Sequence, residues 1–279
     1  MTLGSLAYVL NDAAVRLASE QGIGVYQVVA LRGAAMGVLF ACVGTIRDEL
    51  PKRQHLQRAL LGRVVAEVVG TVLFFTALVR MEFANAQAIL QIVPLLVTLA
   101  AAVLLGERVS GGRYATIVVG LIGVIIIIRP ATDGFTAWSL VVVLSVLAVV
   151  GRELMTRSVE PGVPALSIAL ITALGNTTVG TGLAVAEGWN TPSARAMSFI
   201  GLASGLLFFG YLFTIQTVRV GDLSVSAPFR YTILLGAILS GWALFDEPPD
   251  ALTIIGAGVI LATGLFAISL DRNESKPQS

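Results

Sequence analysis

Charged residues are scarce in this sequence, and cysteine and histidine are almost absent. Only 13% of the 279 residues are charged, about half the share of a soluble domain, and 56% are hydrophobic. A chain with so little charge cannot cover its apolar surface in water, so we predict a membrane protein with many spans. The single cysteine, Cys42, excludes an intrachain disulfide, and a net charge of +1 without a basic stripe argues against a nucleic-acid partner.

Motifs that would carry catalysis or bind a nucleotide are also missing. The only histidine, His55, lies in a polar loop, and the sequence contains no HExxH, GxSxG or Walker motif. We therefore expect no enzymatic activity, no cofactor and no metal, and transport without a nucleotide site must be secondary. A membrane-embedded scaffold or enzyme without transport is the alternative class. The first residues lack the basic segment of a signal peptide, so we expect no cleaved leader.

Ten apolar runs between charged or Gly/Pro-rich breaks predict an all-α protein with ten transmembrane helices. The runs are nearly continuous over about 18–22 residues, unlike the alternating segments of about ten residues in a membrane barrel. The polar tail, 272–279, is expected to be disordered. The predicted spans cover residues 2–19, 25–46, 60–79, 85–105, 114–128, 136–157, 164–186, 196–218, 224–245 and 252–270.

The positions of the basic residues predict the orientation in the membrane. Most of the 18 Lys and Arg residues flank alternate loops, and the longest of these loops is 47–58, RDELPKRQHLQR. By the positive-inside rule these loops are cytoplasmic, so both termini lie inside and the chain crosses the inner membrane. The expected partners are the lipid bilayer and a small-molecule substrate, and the sequence leaves a homodimer open.

A shift of 140 positions relates the two halves of the chain. Segment 84–107 then falls on 224–247: both begin with small residues, contain a proline and end in a glutamate, Glu107 and Glu247. We expect these glutamates to mark helix ends. The shift predicts two five-helix repeats, 1–130 and 131–271, and because five is odd the halves insert in opposite orientations. Span 6 begins upstream of the position that matches Met1, so span 1 is short or the chain begins late.

Several short motifs resemble those of the drug/metabolite transporter superfamily, specifically its EamA-like ten-helix members. In the first half they are AL at 77–78, small residues at 84, 86 and 88, PL at 94–95, GER at 106–108, and glycines at 120 and 123. In the second half they are SVSAP at 224–228, DEP at 246–248 and glycines from 256 to 264. The resemblance implies a ten-helix fold built from two repeats and a transport function.

Three further motifs are similar to those of a bacterial subgroup that includes riboflavin-type vitamin importers. They are NDA at 11–13, LRG at 31–33 and APFRY at 227–231. The resemblance therefore implies a small organic metabolite, with a lean to a vitamin such as riboflavin. Other relatives export amino acids or their metabolites, and this remains the alternative. GER in the first half becomes DEP in the second, so the two loop ends are not expected to act alike.

Two charged residues at membrane depth, Asp12 and Arg32, are expected to pair. A charge inside a span costs about 2.5–3.5 kcal/mol on insertion scales, so each one needs a partner or a function. Both residues lie roughly two turns from the outer ends of their spans. An Asp12–Arg32 ion pair would either lock spans 1 and 2 together or form an outer gate and substrate anchor.

Arg230 and the pair Arg152–Glu153 form the charged group predicted on the cytoplasmic side. Arg230 follows Pro228, which removes a backbone donor and frees a carbonyl. It would either bind an anionic or carbonyl-bearing substrate or extend to the inner interface. Arg152 matches Asp12 under the 140 shift, and we expect Arg152 and Glu153 to contact Arg230. Two charged groups of this kind could act as alternating gates.

Glu67 in span 3 is the predicted proton-coupling residue. It is surrounded by apolar residues in RVVAEVVGTV, and an acid in such surroundings can exchange a proton near neutral pH. The alternative is a hydrogen-bonded structural acid near the inner interface.

Amide and phenol side chains on spans 4 and 9 are predicted to form the substrate cavity. Gln87 and Gln91 are one turn apart and share a helix face, and Tyr231 matches Gln91 under the shift. These side chains suit a polar neutral or zwitterionic ligand, although they could equally form hydrogen bonds between helices. Pro94 and Pro228 interrupt the two spans at different depths. Three more residues could join the cavity: Gln27, Tyr211 and Gln216.

Overall fold

The structure, a computed structural model, describes residues 2–107, 110–130, 136–220 and 232–274. Within these ranges the chain is α-helical, with one 3₁₀ turn at Arg53–His55 and no strand, so the all-α prediction is confirmed. The helices are α1 (Thr2–Ser19), α2 (Val25–Ile46), α3 (Arg58–Leu78), α4 (Phe83–Leu90), α5 (Val93–Leu105), α6 (Gly111–Ile128), α7 (Ala137–Arg157), α8 (Ala165–Glu187), α9 (Ala194–Val220), α10 (Thr232–Phe245) and α11 (Ala251–Glu274).

Length and composition make this a multi-pass membrane protein. In the described part of the chain, seven segments are long and apolar enough to cross a bilayer, with α4 and α5 taken together as one. A span needs about 20 apolar residues. The helix α10 and the apolar part of α11 are shorter, and α1 carries charged residues. Most helices expose large apolar side chains on their outer surface, as contact with lipid requires.

The predicted spans have helical counterparts whose ends differ by a few residues. Two predictions need comment. Span 9 begins at 224, but residues 221–231 lie outside the described part, and the described helix starts at Thr232. The last helix continues through Glu274, so the first three residues of the tail that we expected to be disordered are helical.

Span 4 is broken into α4 and α5 at Gln91 and Ile92. The amides of these two residues bond to carbonyls three positions back, at 3.1 and 3.2 Å, instead of continuing the α-helical pattern. Pro94 has no N–H for the carbonyl of Leu90, which is one reason that the helix cannot run through. Pro94 lies in the first turn of α5, where a missing N–H is tolerated. The proline predicted to interrupt this span therefore lies at the start of its second helix, α5.

Four helix pairs hold the molecule together: α1 with α9, α2 with α8, α3 with α7, and α6 with α11. Each pair joins one helix from each predicted half. If each helix is replaced by its counterpart in the other predicted half, the same four pairs result. A twofold repeat requires this. The boundary between the repeats and their opposite orientations stay predictions.

Arg129 and Asp250 fasten the end of α6 to the beginning of α11. The Asp250 carboxylate accepts hydrogen bonds from Arg129 and, at 2.8 Å, from the backbone N–H of Thr253. Asp250 is therefore the N-cap of α11. Burial alone would raise the pKa of Asp250, but the hydrogen bonds from Arg129 and Thr253 outweigh it and lower the pKa to about 2.

Replacing this cap tests its contribution to stability. Asp250→Ala should lower the melting temperature in detergent through the loss of about 1 kcal/mol of capping energy. Asp250→Asn retains the cap and should lose less. A lowered pKa stabilises the fold above the usual aspartate range, so the difference between wild type and Asp250→Asn should vanish as the pH falls toward 2. Equal melting of the two variants at pH 7 would contradict the capping role.

Candidate functional site

A cavity of about 820 Å³ lies between the helices of the two predicted halves. Its volume falls within the range of small-molecule sites, about 300–1,000 Å³. Side chains from every helix except α6 contribute to its wall. The cavity is therefore central, and it is large enough for a metabolite.

Among the described residues, the cavity wall extends to one face of the molecule and stops short of the other. We call the face at which α1 begins and α7 ends the N-terminal face. Arg157, the half-exposed last residue of α7, lines the cavity there. At the opposite face Arg16 pairs with Glu247, and neither residue lines the cavity. In the part of the chain that the structure describes, the cavity wall is therefore exposed at the N-terminal face.

Four polar side chains from α1, α2 and α4 meet in the cavity wall: Asn11, Asp12, Arg32 and Gln87. The Asp12 carboxylate accepts from Asn11 Nδ2 at 2.8 Å and from Gln87 Nε2 at 2.6 Å. Arg32 Nη1 donates to Asn11 Oδ1 at 3.1 Å. Buried polar groups persist when their hydrogen bonds are made, and this network ties three helices together to make them.

The ion pair predicted between Asp12 and Arg32 is not direct, because Asn11 lies between the two charges. The Asn11 amide accepts from Arg32 on one side and donates to Asp12 on the other. The Arg32 guanidinium also lies 4.7 Å from the centre of the Phe75 ring, a cation–π distance. Its remaining N–H groups can meet a ligand oxygen. Sequence reasoning missed Asn11, although it directly precedes Asp12.

A second charged group joins α3 to α7 nearer the N-terminal face. Glu67 accepts from Arg152 Nη1 at 2.8 Å, and Arg63 Nη2 lies 3.8 Å from the same oxygen. Arg152 also pairs with Glu153, and Arg63 Nη1 donates to Thr172 Oγ1 at 2.9 Å. The two arginines and two glutamates compensate each other's charge.

Glu67 is therefore not the isolated carboxylate that its apolar neighbours in the sequence suggest. Protonation of Glu67 would leave the two arginines, Arg152 and Arg63, with Glu153 as their one counter-charge in the group. Its role in proton coupling stays a prediction. Sequence reasoning did not identify its two arginine partners.

Three predicted site residues, Pro228, Arg230 and Tyr231, lie outside the described residues. The contact expected between Arg230 and the pair Arg152–Glu153 therefore stays a prediction.

Gln87, Gln91 and Pro94 all line the cavity at the broken span. Gln91 lies in the break between α4 and α5, and its Nε2 is buried without a hydrogen-bond partner among the described residues. Tyr211 also lines the cavity and donates to the carbonyl of Ala165 at 2.8 Å. The break therefore places in the cavity wall an amide N–H that has no hydrogen-bond partner among the described residues.

Gln27 does not join the cavity. Its amide donates to the carbonyl of Asn190 at 2.6 Å and accepts from the backbone N–H of Asn190 at 3.1 Å. These bonds fasten the start of α2 to the loop that follows α8. The side chain of Gln216 is outside the described set.

Arg16 and Glu247 form the centre of the seal at the opposite face. Glu247 also accepts from the backbone N–H of Phe83 at 2.8 Å, and Arg16 Nη1 donates to the carbonyl of Met81 at 3.2 Å. The Arg16 guanidinium lies 4.3 Å from the centre of the Phe245 ring. The seal thus ties the end of α1 to the start of α4 and the end of α10.

A second arginine–glutamate pair lies at the N-terminal face. Arg157 Nη1 donates to Glu107 Oε1 at 2.8 Å, and both side chains are about half exposed. Glu107 and Glu247 are the residues that the 140 shift relates. Both stand at helix ends and outside the cavity wall, as expected for end markers.

A central cavity lined by polar and aromatic side chains from both predicted halves of a multi-pass membrane protein is typical of a small-molecule transporter. A family model described as "EamA-like transporter family" matches residues 1–129. The chain is 30% identical over 229 residues to a riboflavin transporter of Rhizobium johnstonii, which covers 81% of the chain and 75% of the relative. The chain belongs to the EamA-like transporter family of the drug/metabolite transporter superfamily.

Two other relatives show the range of this family. An S-adenosylmethionine uptake transporter of Rickettsia prowazekii is 25% identical over 176 residues, 63% of the chain and 60% of the relative. A pseudopaline exporter of Pseudomonas aeruginosa is 26% identical over 215 residues, 75% of the chain and 74% of the relative.

A solved crystal structure with 18% identity matches the fold over 99% of this chain and 98% of its own, with a TM-score of 0.64. The protein is therefore a small-metabolite transporter and not an enzyme.

Proposed function

We propose that the protein is a secondary transporter that carries an uncharged aromatic metabolite such as riboflavin across the inner membrane and into the cell. Alternating access would expose the central cavity to one side of the membrane at a time. In this proposal the N-terminal face is cytoplasmic, so the cavity is open to the inside. The observation that carries the proposal is the balance of charge in the cavity wall.

The described wall offers a ligand no net charge to pair with. It contains four arginines and three carboxylates: Arg32, Arg63, Arg152, Arg157, Asp12, Glu67 and Glu153. Arg157 is paired with Glu107 outside the wall. A ligand with a net charge would bring an uncompensated charge into the membrane, which is costly. This balance favours a neutral substrate.

The wall also supplies groups for a flat, polar ring. Phe74 and Phe75 line the cavity together with Tyr8 and Phe40, and aromatic side chains stack on aromatic ligands. Arg32 and Gln91 offer N–H donors to ligand carbonyls. Riboflavin combines an aromatic ring with carbonyl and hydroxyl groups, and the relative from Rhizobium johnstonii is named a riboflavin transporter.

The alternative is an exporter of amino acids or related metabolites, since the relative from Pseudomonas aeruginosa is named an exporter. S-Adenosylmethionine, named for the Rickettsia relative, carries a sulfonium charge and would need a spare carboxylate. In the described wall Glu67 and Glu153 are paired with arginines, whereas Asp12 is held by the amides of Asn11 and Gln87 and balances the charge of Arg32 across Asn11. A sulfonium beside Asp12 would take the charge that balances Arg32, so S-adenosylmethionine fits the charge balance less well than riboflavin. A zwitterionic amino acid brings no net charge, and the uptake test below separates it from riboflavin.

Uptake into proteoliposomes decides between these substrates. Vesicles that contain the protein should exchange internal unlabelled riboflavin for external radiolabelled riboflavin, and empty vesicles should not. Excess unlabelled riboflavin should compete, whereas an amino-acid panel and S-adenosylmethionine should not. Exchange of a labelled amino acid by vesicles that do not exchange riboflavin would overturn the assignment in favour of the alternative.

A further inference from the structure

Asp12 stands out among the carboxylates of the described cavity wall because only amides hold it. Asn11 Nδ2 and Gln87 Nε2 donate to its two oxygens at 2.8 and 2.6 Å. The nearest positive charge, Arg32, bonds to Asn11 and not to Asp12. Asp12 therefore has hydrogen-bond donors but no cation in contact among the described residues.

The other two wall carboxylates are bound by arginine. Glu67 contacts Arg152 and Arg63, and Glu153 contacts Arg152. A proton on Glu67 would disrupt these ion pairs. A proton on Asp12 breaks no direct ion pair, although it removes the charge that balances Arg32 across Asn11. The neutral carboxyl can still accept from Asn11 and Gln87. It gains an O–H, which can donate to a carbonyl of a ligand in the cavity.

The elements packed against α1 present few other titratable groups to Asp12. These elements are α2, α3, α9 and α10. Between Thr232 and Phe245, α10 carries no titratable side chain, and the neighbour from α4, Gln87, is neutral. The titratable groups that line the cavity on α1 and on the described parts of these elements are Tyr8, Arg32, Arg63, Glu67 and Tyr211.

Asp12 also lies directly behind the seal at the opposite face. Arg16 follows it by four positions, so the two side chains are one turn apart on the same side of α1. Arg16 is held by Glu247 on the closed side, whereas Asp12 lines the cavity that reaches the N-terminal face. A movement that opens the seal would expose Asp12 to the opposite face.

We propose that Asp12 is the proton-binding site that couples transport to a proton gradient. In the outward-open state one Asp12 oxygen takes a proton from water at the opposite face. The neutral carboxyl donates its O–H to the substrate, and both cross as the seal closes. The proton then leaves to water at the N-terminal face, and Asp12 is again a carboxylate. One proton moves with each substrate molecule, and no other reactant is needed. This proposal rests on riboflavin-type uptake being the function of the cavity.

The test compares two modes of transport in proteoliposomes. Riboflavin accumulation driven by an inward proton gradient requires net proton movement, whereas exchange of labelled for unlabelled riboflavin does not. With one proton per neutral substrate, wild-type accumulation should rise by about tenfold for each pH unit across the membrane. Asp12→Asn should lose this dependence. Because Asp12 also contacts the substrate, exchange can slow as well, so the readout is the ratio of gradient-driven accumulation to the exchange that remains.

Glu67→Gln is the matched control, since it removes the other predicted coupling carboxylate. Its overall rate can fall because Arg152 and Arg63 lose a partner, but its ratio of gradient-driven accumulation to exchange should stay that of wild type. A wild-type ratio in Asp12→Asn, or a lost gradient response in Glu67→Gln with Asp12 intact, would overturn the proposal.

Two further outcomes separate the possible failures. If wild type exchanges riboflavin but ignores the proton gradient, proton coupling is wrong and the proposed substrate stands. If wild type does not exchange riboflavin, the proposed function itself is wrong. Should Asp12→Asn lose both modes, Asp12→Glu decides: gradient-driven accumulation must persist with a shifted pH profile, and its loss with exchange intact would contradict the proposal.

Discussion

Gly180→Ala is expected to lower the thermal stability of the protein sharply. A Cβ on Gly180 would lie 2.8 Å from the backbone nitrogen of Ala30 and 3.0 Å from the carbonyl oxygen of Tyr26. Both atoms belong to the backbone of α2 and cannot rotate away, so α2 and α8 must separate. Overpacking of this kind costs about 1–3 kcal/mol.

The effect should be large because α2 and α8 form one of the four pairs that join the halves. Around their crossing, Met36 and Phe40 pack against Leu166 and Leu170. The helix α2 also carries Arg32 on the cavity wall. Separation would therefore loosen an apolar cluster and widen the site at once.

Gly182→Ala is the matched control, since it lies two residues away on the same helix. A Cβ on Gly182 would meet no atom within 4 Å, and alanine favours a helix over glycine. Melting curves in one detergent should show Gly180→Ala well below wild type and Gly182→Ala at or above it. Equal melting of the two variants would contradict the close approach of α2 and α8.

The spans could be predicted from the sequence because lipid imposes a simple rule on them. A segment must stay apolar over the thickness of the bilayer, and this requirement is visible in composition alone. Helix ends depend on capping and on loop contacts, so they differ by a few residues. The break at Gln91 could be anticipated from Pro94, but a proline does not determine which upstream residue leaves the helix.

The partners of the charged residues could not be predicted from single spans. Glu67 and Arg152 are 85 positions apart, and the apolar sequence around each says nothing about which helix it faces. The sequence predicts a contact between Asp12 and Arg32 because their depths in the membrane match. Depth alone does not show that Asn11 lies between them. Rotation of each helix about its axis decides these contacts, and packing in three dimensions sets it.

The ion pair of the seal at the opposite face could have been predicted from the sequence repeat. The 140 shift relates Glu107 to Glu247 and carries Arg16 to position 156, next to Arg157. Arg16 pairs with Glu247 and Arg157 pairs with Glu107. Applied to the arginines as well as the glutamates, the predicted repeat would have suggested both pairs.

Reversing one charge of the seal, by Arg16→Glu or Glu247→Arg, is expected to abolish most riboflavin uptake. The side chains of Arg16 and Glu247 are 13% and 21% exposed, so each single variant forces like charges together in a largely buried place. Losing one partner of a buried pair costs about 3–5 kcal/mol. The sealed state would lose that stabilisation, and about 1.4 kcal/mol already changes a population tenfold.

The pair at the N-terminal face supplies the control. Glu107 and Arg157 are 51% and 48% exposed, and pairs in water contribute about 0–1 kcal/mol. Glu107→Arg should therefore reduce uptake much less than Glu247→Arg. An equal loss in both variants would show that charge at a loop end, and not the seal, controls the rate.

The double reversal Arg16→Glu/Glu247→Arg should recover part of the activity, because it restores opposite charges across the seal. Recovery should be incomplete, since the backbone N–H of Phe83 loses its Glu247 acceptor. Accessibility can be measured directly with Thr71→Cys, a partly exposed cavity position, in a Cys42→Ser background that removes the only cysteine. A membrane-impermeant maleimide added at the opposite face should label the single reversals faster than the parent, and the double reversal at close to the parent rate. Labelling of the double variant as fast as that of the singles would show that Arg16 and Glu247 do not close the cavity by their mutual attraction.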